Sequence, residues 1–342
     1  METKTLEINP GKIDASLIRE AAAVIKRGGL VAFPTETVYG LGADVFNPEA
    51  TLKIFAAKKR PFNDPLIVHV VDKQDLLKLS VEVSKITLDL ADTFWPGPLT
   101  LVLKKTATVP SIVTADLETV AVRMPDHPVA LSLIRESQTP IAAPSANLFG
   151  RPSPTTAQHV LDDLKGGVDL ILDAGKTSIG VESTILDLTQ TPFRILRPGG
   201  ISLESLRTII PDIEPYQGDK ILSPGMFKRH YSPKAKVILV EGNGKAQIGR
   251  VKEIVSEFTM QGYCAGMMVK EEHRDKYNGD FNIKILGPEK NLSLCAANLF
   301  TVLRNFDKDG TQIIIAEGVK EEGLGVAIMD RLRKAAAREE YV

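Results

Sequence analysis

Cysteine is nearly absent from this 342-residue chain, since only Cys264 and Cys295 occur and they lack the close pairing of a thiolate zinc site or a redox motif. That scarcity points to a reducing, cytoplasmic setting. The five histidines, His69, His127, His159, His230 and His273, show no metal-ligand spacing, so no metal site built from protein side chains is expected. Neither sign of charge dominates: 42 Lys and Arg stand against 43 Asp and Glu, a formal net charge of -1. No global basic field therefore draws the chain onto nucleic acid or anionic lipid, and any polyanion site must be a local patch. No run approaches the ~20 apolar residues that span a bilayer. The opening METKTLEINPGKID also lacks the basic-then-apolar layout of a signal peptide, so a soluble protein without a membrane partner is expected. The familiar catalytic signatures are missing too: no GxxxxGK[ST], HExxH, GxSxG or kinase motif set is found.

What is present is an ordinary globular composition, 43% hydrophobic and 25% charged, at a length that predicts two domains. Proline marks the division. Of 21 prolines, 20 lie between Pro10 and Pro233 and only Pro288 lies beyond. The stretch PDIEPYQGDKILSPGMFKRHYSP has linker composition, which gives residues 1–212 as one domain, 213–236 as a basic linker or lid, and 237–342 as a second domain. In the first, SLIREAAAVIKRGG places Leu17, Ile18, Ala21, Val24 and Ile25 on one helical face before a Gly28-Gly29 stop. Asn47, Pro48 and Glu49 open a second helix running through Lys58. Apolar runs at LVAFPT, LIVHVV, LTLVLK, TVAVRM, PIAA, DLILD, STILDL and FRILRP, with helices between them, predict one mixed α/β sheet. In the second domain KVILVEG, YCAGMMV, FNIKIL and QIIIAEG alternate with amphipathic segments, which predicts a small three-layer, Rossmann-like α/β domain with a largely parallel sheet. No GxGxxG opens it, so dinucleotide binding is not indicated.

Chemistry concentrates at a few places in the first domain. In FPTETVYGLGAD two threonines flank Glu36, and Gly40 and Gly42 would let the backbone approach a bound group, or else form a turn that merely packs. In KKRPFNDP the cations Lys58, Lys59 and Arg60 end a helix, where the macrodipole alone would favour them. Lys58 and Arg60 cannot share a helical face, but an unwinding helix end would turn both onto one phosphate chain. Arg123 sits inside an apparent strand, either as a carboxylate clamp or on an exposed face. Ser145 and Asn147 end another strand, Ser153-Pro154 is expected to start a helix whose N–H groups suit an anion, Ser183 and Thr184 begin a strand, and Arg197 precedes two glycines. Together they predict hydroxyls, cations and glycines at successive strand ends, as a nucleotide-plus-small-molecule cleft requires. The linker carries Lys220, Lys228, Arg229, Lys234 and Lys236 around His230 and Tyr231, either a solvated connector or a lid over a polyphosphate.

FPTETVYGLGAD, KKRPFNDPLIVHV, FWPGPLTLVL, VAVRMPDHP, APSANLFGRPSPT and GVESTILDL, in this order, resemble the YrdC-type L-threonylcarbamoyladenylate synthases over residues 10 to 210, and the tail resembles the long two-domain form. The resemblance implies a nucleotidyltransferase that turns L-threonine, bicarbonate and ATP, with Mg²⁺, into threonylcarbamoyl-AMP, pyrophosphate and water. The product is the donor for threonylcarbamoyladenosine in tRNA, attached by a separate transfer complex, with tRNA contact weak or transient. By the same match Lys58 and Arg60, with Ser145 and Asn147, are the catalytic pairs. Thr37, His69, Arg123, Ala143 and Ser183 line the threonine site. Arg60, Asp64, Thr119, Ser145, Ser153, Arg197 and Tyr231 contact ATP. The segment SPGMFKRHYSPKA looks like that form's basic lid, which makes gating through the linker an expectation. No general base stands out.

Three other readings are weighed against this one. A double-stranded RNA or tRNA-binding module is opposed by the near-neutral charge. A carbamoyl transferase of the hydrogenase-maturation type would carry zinc-binding cysteine pairs that two isolated cysteines cannot supply. A non-catalytic regulator built on the same fold is the third.

Overall fold

The caps and apolar stripes legible in the sequence set the helices of the first compact unit. The computed structural model describes residues 2–277, 279 and 281–341. Helix Ala15–Lys26 starts where the Asp14 carboxylate accepts the Ser16 N–H at 2.8 Å, and buries Ile18, Ala21, Ala22, Val24 and Ile25. Helix Pro48–Lys58 starts at the Asn47 cap with proline in its first turn, and stops because Lys59 turns left-handed at φ 53°.

These helices flank a mixed sheet of eleven strands among the described residues, ordered Lys4–Glu7, Leu170–Asp173, Val31–Phe33, Gly40–Asp44, Ile141–Ala142, Ile67–His69, Thr119–Arg123, Leu99–Lys104, Thr184–Asp187, Arg194–Arg197 and Glu214–Pro215. Strand Ile67–His69 runs parallel to Thr119–Arg123 with Ile67 beside Ala121 and His69 beside Arg123, and Val102 stands opposite Ala121 across the antiparallel neighbour. Because side chains alternate with a period of two, the central strands present two apolar faces. Val68, Val120, Val122, Leu101, Leu103 and Leu186 join the main core. Ile67, Ala121, Val102, Ile185 and Leu196 form a separate, shallower cluster on the opposite face, against which Tyr216, Leu222 and Met226 pack. That second face positions the site.

Two local expectations change. Gly40 and Gly42 lie within a strand, and what approaches their backbone is protein: a Cβ on Gly42 would stand 2.8 Å from the Phe33 ring and 2.7 Å from Ile141. The glycines make room for the Phe33 ring, not for a bound group. Ser153-Pro154 also starts no helix; Thr156 caps the helix Ala157–Leu164 by accepting the His159 N–H at 3.3 Å. A hydroxyl with an N–H two or three residues ahead outcompetes the proline as the start signal.

The second compact unit takes in Phe227–Val342 together with Gly150–Pro152 and Ile179–Val181. Among the described residues its sheet has five parallel strands, in the order Asn282–Gly287, Ala265–Lys270, Ile313–Glu317, Lys236–Glu241 and Ala336–Tyr341. Strands Lys4–Glu7 and Ala336–Tyr341 carry little apolar alternation and escape the sequence reading. Helix Gly244–Met260 buries Val251, Ile254 and Val255 against Ile238, Val240, Met267 and Ile315. Among the described residues no helix is long and apolar enough to cross a membrane.

The packing around the two strand glycines and along the second unit's first helix predicts opposite signs for one substitution type. Gly42→Ala overpacks Phe33 and is expected to cost about 1–3 kcal/mol, read as a lower urea midpoint in the fluorescence of Trp95, the only tryptophan and a buried one. Gly249→Ala points its methyl into open space within a helix, and is expected to raise the second unit's midpoint, by circular dichroism, by about 0.5–1 kcal/mol. Shifts of the same sign would refute this packing account.

Candidate functional site

The apolar floor of Ile67, Ala121, Val102, Ile185 and Leu196 is rimmed by the polar residues that share its face of the sheet. Alternation puts Thr119, Ala121 and Arg123 on that face from one strand, and Ile67 and His69 from the next. Ala143 follows the strand beyond and donates its N–H to the Ile67 carbonyl at 2.8 Å. Ser183 immediately precedes the strand on the other side, and its hydroxyl meets that of Thr100 at 2.7 Å. Ser145, Ser183 and Arg197 lie at or just beyond strand ends, whereas Thr119 opens and Arg123 closes one strand, so these side chains spread across a face.

Arg123 and His69 are buried side by side. The Arg123 guanidinium donates Nε–H to the Gly97 carbonyl at 3.2 Å and pairs through Nη2 with the buried Glu36 carboxylate at 2.7 Å, which excludes the exposed-face alternative. Nη1 has no protein partner among the described residues. Glu36 is held in a tight loop in which the Thr35 hydroxyl donates to the Val38 carbonyl at 2.7 Å and meets the Thr37 hydroxyl at 2.8 Å. Burial, reinforced by the Arg123 charge, drives the His69 imidazole down to about 3 from its ordinary 6.5. His69 is neutral at physiological pH.

A second polar cluster gathers three cations around one carboxylate. Beyond the helix end at Lys58 the chain unwinds, and Arg60 folds back on its own loop, donating to the Asp64 and Pro65 carbonyls at 3.1 and 2.8 Å and pairing with the Asp64 carboxylate at 2.8 Å. Lys58 turns the other way and donates to the Ser145 and Asn147 carbonyls. Arg197 donates to the Ser183 carbonyl at 2.9 Å and the Pro224 carbonyl at 3.2 Å. Burial pushes the Asp64 carboxyl up, while Arg60, Lys58 and Arg197 all pull it down, so the three charges share one neighbourhood. Thr119 opens its strand and pairs with Lys104 across the antiparallel neighbour.

Ser145 donates to the Asn147 side-chain oxygen at 2.5 Å, and the Asn147 amide donates to the Leu148 carbonyl at 2.6 Å. Ser153, fully buried, donates to the Glu182 carboxylate at 2.5 Å. Tyr231 belongs to the second compact unit, where its buried ring stacks on Phe300 at 5.5 Å and the Arg331 guanidinium lies over it, 5.2 Å from its centroid. Within the first unit the structure brings His69 beside Arg123, and Lys58, Arg60 and Arg197 around Asp64, with Ser145 and Asn147 on Lys58 and Ser183 on Arg197. Sequence reasoning missed Glu36, Thr100 and Glu182 as partners of these groups. A carboxylate between two threonines was visible at Glu36, but nothing in its spacing names Arg123. Among the described residues no group of three His, Cys, Asp or Glu side chains is arranged to hold a metal ion.

The chain is similar to known proteins over nearly its whole length. Residues 23–199 match the family described as "Telomere recombination", and residues 201–337 match the family described as "Threonylcarbamoyl-AMP synthase, C-terminal domain". The chain is 46% identical to the threonylcarbamoyl-AMP synthase of Pyrococcus abyssi, covering 95% of both chains. It is 46% identical to that of Bacillus subtilis, covering 93% of this chain and 92% of the other. The crystal structure of Pyrococcus abyssi Sua5 complexed with L-threonine is 44% identical and superimposes over 100% of both chains with a TM-score of 0.93.

Burial of neutral His69 fixes a pH dependence of stability. Below pH 6.5 the unfolded chain binds a proton that the folded chain refuses down to about pH 3, so this group's contribution is intact above 6.5 and shrinks as pH falls. From pH 7.5 to 5 the loss is expected to be on the order of 2 kcal/mol, and His69→Gln is expected to remove it. Urea titrations followed by Trp95 fluorescence at both pH values check this; equal pH slopes in parent and variant would refute it.

Proposed function

The chain belongs to the threonylcarbamoyl-AMP synthase family, and from that premise we propose that it converts L-threonine, bicarbonate and ATP into threonylcarbamoyl-AMP, pyrophosphate and water. The observation that carries this reading is the sheet face itself, on which a carboxylate-sized clamp, Arg123 with neutral His69, lies across an apolar floor from the cations Lys58, Arg60 and Arg197.

The floor divides the work by charge. Arg123 offers Nη1 to the threonine carboxylate while Glu36 and the Gly97 carbonyl fix the rest of its guanidinium. Thr37, His69, Ala143 and Ser183 complete the threonine site, with Ala143 too small to intrude. The threonine amine displaces hydroxide from bicarbonate to give a carbamate, with the water as by-product. A carbamate oxygen then attacks the α-phosphorus, and the bond to the bridging oxygen of pyrophosphate breaks. Both partners are anions, so the barrier is largely electrostatic, and Lys58, Arg60 and Arg197 lower it by holding positive charge where negative charge converges. Ser145 and Asn147 orient Lys58 through their carbonyls, and Thr119 and Ser153 with Tyr231 complete the ATP contacts. Asp64, fully buried behind Arg60, acts by aiming that guanidinium.

The described residues do not fit a protein-built metal site, so Mg²⁺ belongs to the substrate, accompanying the ATP phosphates. Residues 1–212 form the catalytic domain, 213–236 a basic lid and 237–342 a Rossmann-like domain. The lid reading is supported by Tyr216, Leu222 and Met226 packing on the floor and by the Pro224 carbonyl holding Arg197. The product is handed in the cytoplasm to a tRNA threonylcarbamoyl transfer complex, with direct tRNA contact transient.

Pyrophosphate release from ATP and bicarbonate, with and without L-threonine, tests the reading, alongside mass spectrometry for threonylcarbamoyl-AMP. Threonine-dependent release with that adduct is expected; no release and no adduct from folded protein would overturn it. Arg123→Lys is expected to reduce kcat/KM for threonine about 10- to 100-fold with KM for ATP little changed, as loss of charge-assisted hydrogen bonds requires. Lys58→Met is expected to lower kcat about 100- to 1,000-fold.

A further inference from the structure

The second compact unit has a cavity of about 690 Å³ at the amino-terminal edge of its parallel sheet. Ala235, Ile238, Thr311 and Ile313 form its buried floor, and Phe258 and Tyr263 form a wall, their rings edge to face at 5.6 Å. Tyr263 is 44% exposed, so one ring face is open to a ligand. Arg229, Lys234 and Lys236 stand at the rim, all exposed, and none makes an ion pair among the described residues. Among the described residues no carboxylate lines the cavity. The neighbouring Asp307 is engaged elsewhere, accepting the Lys234 and Ala235 backbone N–H groups at 2.7 and 3.2 Å and pairing with Arg151. The helix Gly244–Met260 ends beside the wall, and its dipole contributes only about half a negative charge against three full positive ones.

Three uncompensated cations beside an exposed aromatic ring and an apolar floor are complementary to a flat ring joined to phosphate. We propose that this cavity binds a nucleoside phosphate, its base stacked on Tyr263 and its phosphates held by Arg229, Lys234 and Lys236. Stacking on an aromatic side chain tolerates any base, while the cations track phosphate. The volume suits one nucleotide, within the 300–1,000 Å³ usual for small-molecule sites. The same chemistry is offered by a free mononucleotide or by one nucleotide of a single-stranded RNA.

Fluorescence anisotropy of the full chain with a labelled twelve-residue oligouridylate, with UMP as competitor, tests the site and separates the two sources. Three phosphate contacts predict a slope of about -2 in log K against log salt. Lys234→Ala with Lys236→Ala is expected to bring that slope to about -0.7. Tyr263→Ala is expected to weaken binding about 5- to 150-fold without changing the slope, and Tyr263→Phe to restore it. Displacement by UMP identifies the free nucleotide as sufficient, and failure of UMP to displace an oligonucleotide that these variants weaken identifies the strand. No binding of either probe, or binding indifferent to the variants, would overturn the proposal. Tyr263→Ala is expected to keep threonine-dependent pyrophosphate release, so the two readings fail separately.

Discussion

Four buried cations on or beside one sheet face, Lys58, Arg60, Arg123 and Arg197, are the constraint around which the first unit is arranged. An isolated charge moved out of water costs far more than a domain's net stability, so each needs partners fixed in advance. Carboxylates serve two of them, Glu36 for Arg123 and Asp64 for Arg60. Backbone carbonyls hold Lys58 and Arg197, satisfying N–H donors without removing formal charge. Those carbonyls belong to segments between strands: residues 145 and 147, residue 183 and residue 224. The irregular loops of this unit are therefore shaped by the cations they must wrap.

The same constraint explains which parts of the fold were legible. Helix Pro48–Lys58 announced itself through Asn47, Pro48 and Glu49, because capping is local chemistry. The central strands announced themselves as apolar runs, since both sheet faces are buried. What was not legible was which residues lie opposite one another. Arg123 carried a warning in its position within a strand, but its partner Glu36 is distant in sequence and was found only by folding. Gly40 and Gly42 misled because glycine signals close approach without saying of what, and here the approaching group is Phe33. Strand Lys4–Glu7 was invisible for the converse reason, being an edge strand with only Leu6 buried.

Site residues were more legible through the assembled motifs than individually. Ser145, Ser183 and Arg197 were each ordinary turn chemistry, and nothing in their spacing gave Ser183 a carbonyl and hydroxyl that both receive Arg197. Register supplies that information: the parallel pairing of Leu99–Lys104 with Thr184–Asp187 brings Ser183 beside Thr100, and the bulge between Ile195 and Arg197 turns the guanidinium toward them. A one-residue slip in the bulged pair would move Arg197 to the core face and bury a charge in hydrocarbon. The charged residues thus enforce the register that creates their own site.

That no general base stands out in the sequence fits the chemistry of the proposed reaction. His69 is the imidazole nearest Arg123, and a group held near a pKa of about 3 is a poor proton acceptor at neutral pH. A nucleophile that needed deprotonation in the attacking step would find a poor partner in His69. A carbamate needs none, because its oxygen is already anionic, and what it lacks is freedom from repulsion by the phosphate it must reach. A site rich in fixed cations, with its histidine kept neutral and its carboxylates committed to arginines, is suited to a reaction limited by charge convergence. It is poorly suited to one limited by proton transfer, which separates this chemistry from hydrolysis by an activated hydroxyl on the same scaffold.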